Sequence, residues 1–169
     1  PAAVQSELKA AKEKYLKTNP EGNVHLGRVG AIQVAYDQID FNGSPSPSLR
    51  VSTPSQTLFF GESGGRVYDW QVADMPVLAG QKDQRRDGVG MDLLWLPETA
   101  QWSGDEIGPM TLTACRNDGK MARIIYEGEF KKGYPGIKLR KEYIVSASGN
   151  GLTVDVTLIN TLAGPAKLS

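Results

Sequence analysis

Three stretches decide the fold: MARIIYEGEF at 121–130, IKLRKEYIVSA at 137–147 and GLTVDVTLIN at 151–160. In the last, Leu152, Val154, Val156 and Leu158 fall on one face of an extended strand, opposite Thr153, Asp155 and Thr157. A period of two with one dry and one wet face marks an antiparallel sheet packed on one side. The separators agree with this. Asn117-Asp118-Gly119 is a hairpin signal before the first stretch, Tyr134-Pro135-Gly136 precedes the second, and Ser148-Gly149-Asn150-Gly151 precedes the third.

Upstream the same period recurs. Ile32, Val34 and Tyr36 alternate ahead of the turn signal Asp40-Phe41-Asn42-Gly43, and Tyr68, Trp70 and Val72 alternate after Gly61-Glu62-Ser63-Gly64-Gly65. Thr111 to Cys115 is a further strand, and the Pro- and Ser-rich stretch 44–54 is too short to be a domain linker. Only residues 2–17 read as a helix: Val4, Leu8, Ala11 and Tyr15 form an apolar stripe, and Asn19-Pro20-Glu21-Gly22 ends it. Its default role is to dock on its own domain, although a basic amphipathic helix also suits a partner or a membrane surface. The expected division is an N-terminal helix and connector at 1–22 and a domain at 23–169. The fold class is mainly β, an antiparallel β-sandwich, supersandwich-like and partial, with one N-terminal helix.

Composition bounds the chemistry. The 169 residues suit one domain, which at this length buries about 69% of its extended surface. The 19 basic and 19 acidic side chains cancel, so the electrostatic footprint of a nucleic-acid binder is missing. No apolar run reaches the roughly 20 residues of a membrane span. With one cysteine, Cys115, and one histidine, His25, no intramolecular disulfide and no site needing two histidines can form within the chain. A lone cysteine suits cytoplasm and periplasm alike. No metal motif or cofactor motif is present, so neither a metal nor a cofactor is expected.

The candidate chemistry lies elsewhere. The glycine-rich 61–65 stretch precedes an alternating strand rather than a helix, so it reads as a hairpin turn and not as a phosphate cradle. Cys115 and His25 lack any signature of a catalytic pair, and Cys115 reads as a small buried residue. Residues 81–108 carry Arg85 and Arg86, then Trp95, Glu98, Trp102 and Asp105. Sugars are held by a flat aromatic face against their C–H surface and by planar groups bonded to their hydroxyls. Trp95 and Trp102 suit the first task, and Arg85, Arg86, Glu98 and Asp105 the second. The structural alternative is a core tryptophan among ordinary surface charges.

The order of motifs resembles the galactose mutarotase-like superfamily, which includes aldose 1-epimerases and hexose-6-phosphate epimerase-like proteins. The resemblance rests on Gly64-Gly65-Arg66 through Trp70 to Val77-Leu78, on Arg86-Asp87-Gly88 through Trp95-Leu96-Pro97, and on Gly151 to Thr161 followed by Gly164-Pro165. It covers about residues 28–169. It implies a twisted antiparallel supersandwich of about twice this length, sugar or sugar-phosphate binding, and Arg86 as a contact to that ligand. The family's chemistry needs a histidine acid and a glutamate base beyond the region matched here, and His25 corresponds to neither. Three readings follow: a noncatalytic carbohydrate-binding module, a structural or assembly subunit that meets protein partners or its own copies through a sheet face or the N-terminal helix, and an epimerase whose catalytic half lies further on.

Overall fold

The computed structural model describes residues 23–41, 44–61, 65–78, 89, 94–96, 101–103, 110–130 and 136–165; at 38–41, 44–47, 78, 94–96 and 101–103 it describes the backbone alone. The expected helix at 2–17, and with it the division at residue 22, falls outside these residues. Among the described residues every element is a strand: β1 (Gly27–Val29), β2 (Ile32–Phe41), β3 (Ser44–Ser52), β4 (Gln56–Gly61), β5 (Arg66–Val72), β6 (Met75–Leu78), β7 (Leu94–Leu96), β8 (Gln101–Ser103), β9 (Thr111–Asn117), β10 (Met121–Glu129), β11 (Ile137–Ser146) and β12 (Leu152–Asn160). They form a six-stranded sheet in the order β1-β2-β3-β4-β5-β6, a four-stranded sheet in the order β12-β11-β10-β9, and the hairpin β7-β8. All strand pairs are antiparallel.

The four-stranded sheet follows the alternation closely. In β11, Ile137, Leu139, Lys141, Tyr143 and Val145 point inward and are buried, while the residues between them are half-buried or exposed. The β9–β10 turn is built by side chains: the Asp118 carboxylate accepts the amides of Lys120 (2.8 Å) and Met121 (2.7 Å), and Gly119 takes a φ of +84° that its neighbours would resist.

The Pro- and Ser-rich stretch holds the whole of strand β3, which the sequence pattern does not announce. Its prolines fall in register with Asp40 and Gln38 of β2, but β4 pairs only from Leu49 onward. Among the described residues, Pro45 and Pro47 thus sit where a single neighbour flanks the strand, and a proline nitrogen is tolerated on such an open side.

Both large sheets feed one core. Ile32, Val34, Leu49, Val51, Leu58, Phe60 and Val67 of the six-stranded sheet cluster with Leu112, Cys115, Ala122, Ile124, Tyr126, Leu139, Tyr143 and Val145 of the four-stranded one, a sandwich-like arrangement. At its centre the Phe60 and Tyr143 rings meet edge-on at 5.2 Å, and the Tyr143 hydroxyl donates to the Gly65 carbonyl. Gly65 is needed there: a Cβ would sit 2.8 Å from the Tyr126 Cβ, and its φ is +54°.

Two polar clasps join the sheets at the end that carries the β9–β10 and β11–β12 turns. In one, the buried Asn117 amide donates to the Ile32 carbonyl (3.1 Å), and Gly30 and Gly119 approach backbone to backbone. In the other, the buried Gln56 amide donates to the carbonyls of Gly149 and Gly151, both at 3.1 Å, while its own oxygen accepts from the Trp70 indole at 2.9 Å. Gln56 ties the β11–β12 turn to the opposite sheet.

Candidate functional site

Of the residues expected to contact sugar, Arg85, Arg86, Glu98 and Asp105 lie outside the described residues. Trp95 and Trp102 are brought together in register: they are cross-strand partners at the middle of β7-β8, although their side chains lie outside the description. Residue 89, three positions after Arg86, is bonded both ways to β5, Val67 N to Val89 O and Val89 N to Val67 O, each at 3.0 Å.

Cys115 and His25 do become neighbours, through the backbone. Asn23 to His25 runs beside β9, where the His25 amide donates to the Cys115 carbonyl and the Cys115 amide to Asn23, each at 2.9 Å. The thiol itself is fully buried in the core, His25 is exposed, and burial pushes the Cys115 thiol up to about 12. A thiol so reluctant to ionise is a packing residue. The glycine-rich turn leads into β5, and with a strand after it there is no helix N-terminus to hold a phosphate. Among the described residues, no three His, Cys, Asp or Glu are grouped to hold a metal ion. Nor is any helix among them long and apolar enough to cross a membrane.

Two features escape a sequence reading. The first is the outward face of the six-stranded sheet. The register sets Asp37 opposite Ser48, Arg50 opposite Phe59, Phe59 opposite Asp69 and Gly61 opposite Arg66, and cross-strand partners share a face. Asp37 and Arg50 pair at 3.0 Å, Arg66 and Ser48 are buried, and the Tyr68 ring occupies the space where Gly61 would carry a Cβ. Nothing in the sequence pattern separates these residues from ordinary outward-facing polar ones. Regular pairing of β2, β3 and β4 gathers them, and the bulge between Phe59 and Phe60 makes Tyr68 the extra residue and brings Asp69 opposite Phe59.

The second is β12. It pairs with β11 over its whole length without a bulge, and among the described residues no strand lies beyond it. Its inward positions continue the core face, with Leu152 opposite Val145, Val154 opposite Tyr143, Val156 opposite Lys141 and Leu158 opposite Leu139. Burial nevertheless fades along it. Leu152 and Val154 are half-buried, whereas Val156 is 56% and Leu158 47% exposed. The dry face expected for all four residues is therefore dry over its first half alone. Lys141, opposite Val156, is fully buried and engaged with other groups, a long cation on a face where the alternation calls for an apolar residue.

The other sheet margins are blunted. Among the described residues, β1 has three residues, β6 has four including Pro76, and β9 is bridged at Cys115 by Asn23 to His25. β12 has nine residues with no proline or lysine, and its one charged residue is Asp155. No family model, curated protein or solved structure matches the chain.

Proposed function

We propose that this chain is a sandwich-like assembly module that takes up a partner strand along β12. The observation that carries the reading is a contrast in the margins of the two large sheets among the described residues: β1 and β6 are short and β9 is bridged at Cys115, whereas β12 is long, unbulged and nearly uncharged, with Val156 and Leu158 open on the core face. Strand addition uses the edge amides and carbonyls for affinity and alternate side chains for selection. Magnitudes favour a whole strand over a point contact. Covering the open halves of Val156 and Leu158 yields about 2–3 kcal/mol. Association costs at least about 4 kcal/mol, so the backbone ladder must supply the remainder.

Hydrogen exchange on the full chain, with a peptide of residues 151–160 added as donor strand, tests this. Alternate amides of β12 are expected to gain protection while β1 and β6 stay unchanged. Exchange at β12 indifferent to both peptide and protein concentration overturns the reading.

A second reading, a noncatalytic mutarotase-like carbohydrate-binding module, draws support from the Trp95–Trp102 register and from the bonding of Val89 to β5. Trp95 and Trp102, opposite one another in the hairpin register, would offer the apolar platform and Arg86 a hydroxyl or phosphate contact. Calorimetric titration with hexoses and hexose phosphates should then show binding that is lost in both Trp102→Ala and Arg86→Ala. Silence of the wild type, or variants that bind as it does, removes this reading.

A further inference from the structure

We infer that the strand taken up by β12 is β12 of a second copy, paired antiparallel about a two-fold axis at Val156; the inference rests on the edge-pairing reading above. Three observations select this occupant. Residues 152–158 read Leu-Thr-Val-Asp-Val-Thr-Leu, the same in both directions and strictly alternating, so a reversed copy keeps the same apolar and polar faces about an axis on any one of these residues. An isologous contact needs such self-complementarity. The chain carries no net charge to oppose self-association. Finally, β12 spans Leu152–Asn160, whose midpoint is Val156, the most exposed apolar residue of the strand.

Charge then chooses the register. Centring on Asp155, the middle of the palindrome, sets Asp155 directly against its copy, and like charges directly opposite are unfavourable. Moving the axis one residue to Val156 pairs the strand along its whole length. Val156 meets Val156, Val154 meets Leu158, and Asp155 meets Thr157 of the second copy. The four-stranded sheets would join into one continuous sheet, with Val156 and Leu158 in contact across the seam.

Single cysteines read this register. Directly opposed residues have Cα atoms about 4.5–5.5 Å apart, within the span of a disulfide. About the Val156 axis, residue 155 and its copy are offset by two positions, about 8 Å, which is too far. Cys115 does not compete, being buried with its thiol pushed up to about 12. Under mild oxidation, Val156→Cys is expected to give at least about tenfold more disulfide-linked dimer than Asp155→Cys. Wild-type sedimentation should show a concentration-dependent dimer that Val156→Lys abolishes, with an unchanged circular dichroism spectrum showing that the variant folds. A monomer at all concentrations, cross-linking at Asp155→Cys in place of Val156→Cys, or equal cross-linking at both overturns the inference. If the 151–160 peptide protects β12 while Val156→Cys stays monomeric, the two-fold register falls and the edge reading stands.

Discussion

Strands β11 and β12 lie side by side along a continuous register, and each alternates an inward with an outward residue. All five inward residues of β11 are buried, while β12 has none that is fully buried. The difference lies in what faces each strand. Phe60 and Gly65 of the opposite sheet meet Tyr143 of β11. Gln56 and Ser55 grip the turn that opens β12, and the strand's burial declines with distance from that clasp. Alternation sets the direction in which a side chain points; burial needs a second surface in front of it.

The largest test of this contrast pairs one inward-facing residue from each strand. Tyr143→Ala should cost about 3–5 kcal/mol in denaturant unfolding, because it empties the meeting point of Phe60, Tyr126 and Gly65. Val156→Ala should stay within about 0.5 kcal/mol when measured at low concentration. Comparable losses would mean that β12 is as much a part of the core as β11. Next in size is the clasp. Gln56→Ala removes the partner of the Trp70 indole and the side-chain donor to the Gly151 carbonyl, while Gly149 keeps the Ser55 hydroxyl, for about 2–3 kcal/mol, and should speed amide exchange from Ser148 to Leu152. Unaltered exchange there would detach the half-burial of β12 from the clasp.

The smallest effect belongs to the closed end of the sheet. Amides of Met121 and Lys120 hold the exposed Asp118 carboxyl below its ordinary value of 3.8. A depressed folded-state value means that the turn's support is complete above the unfolded value and fades as pH falls through the folded one. Melting temperature followed downward from pH 5 should therefore drop slightly more steeply in wild type than in Asp118→Asn. Parallel curves would remove Asp118 as a pH-dependent prop of the β9–β10 turn.

Much of the four-stranded sheet was legible because its signals are local. Three alternating stretches and their turns give β10, β11, β12 and the hairpin at Asn117 to Gly119, and β5 follows from Tyr68, Trp70 and Val72. Strand β3 was hidden behind prolines that only a one-sided position permits. Cys115 was readable as buried, but its pairing with Asn23 to His25 was not, since a parallel bridge between distant segments leaves no periodic trace. Among the sugar-site candidates, the facing of Trp95 and Trp102 depends on a register that their spacing does not specify.

Sequence by itself determined that the chain is mainly β, which residues of each strand share a face, where several of its turns fall, and that no site formed within these 169 residues of one chain uses two cysteines or two histidines. Among the described residues, tertiary structure alone decided which margin of the four-stranded sheet a distant segment bridges and which none does. Strand periodicity is written into neighbouring residues, whereas the protection of β9 and the openness of β12 depend on segments far apart in the chain, brought near or kept away only when the sheets close on a common core.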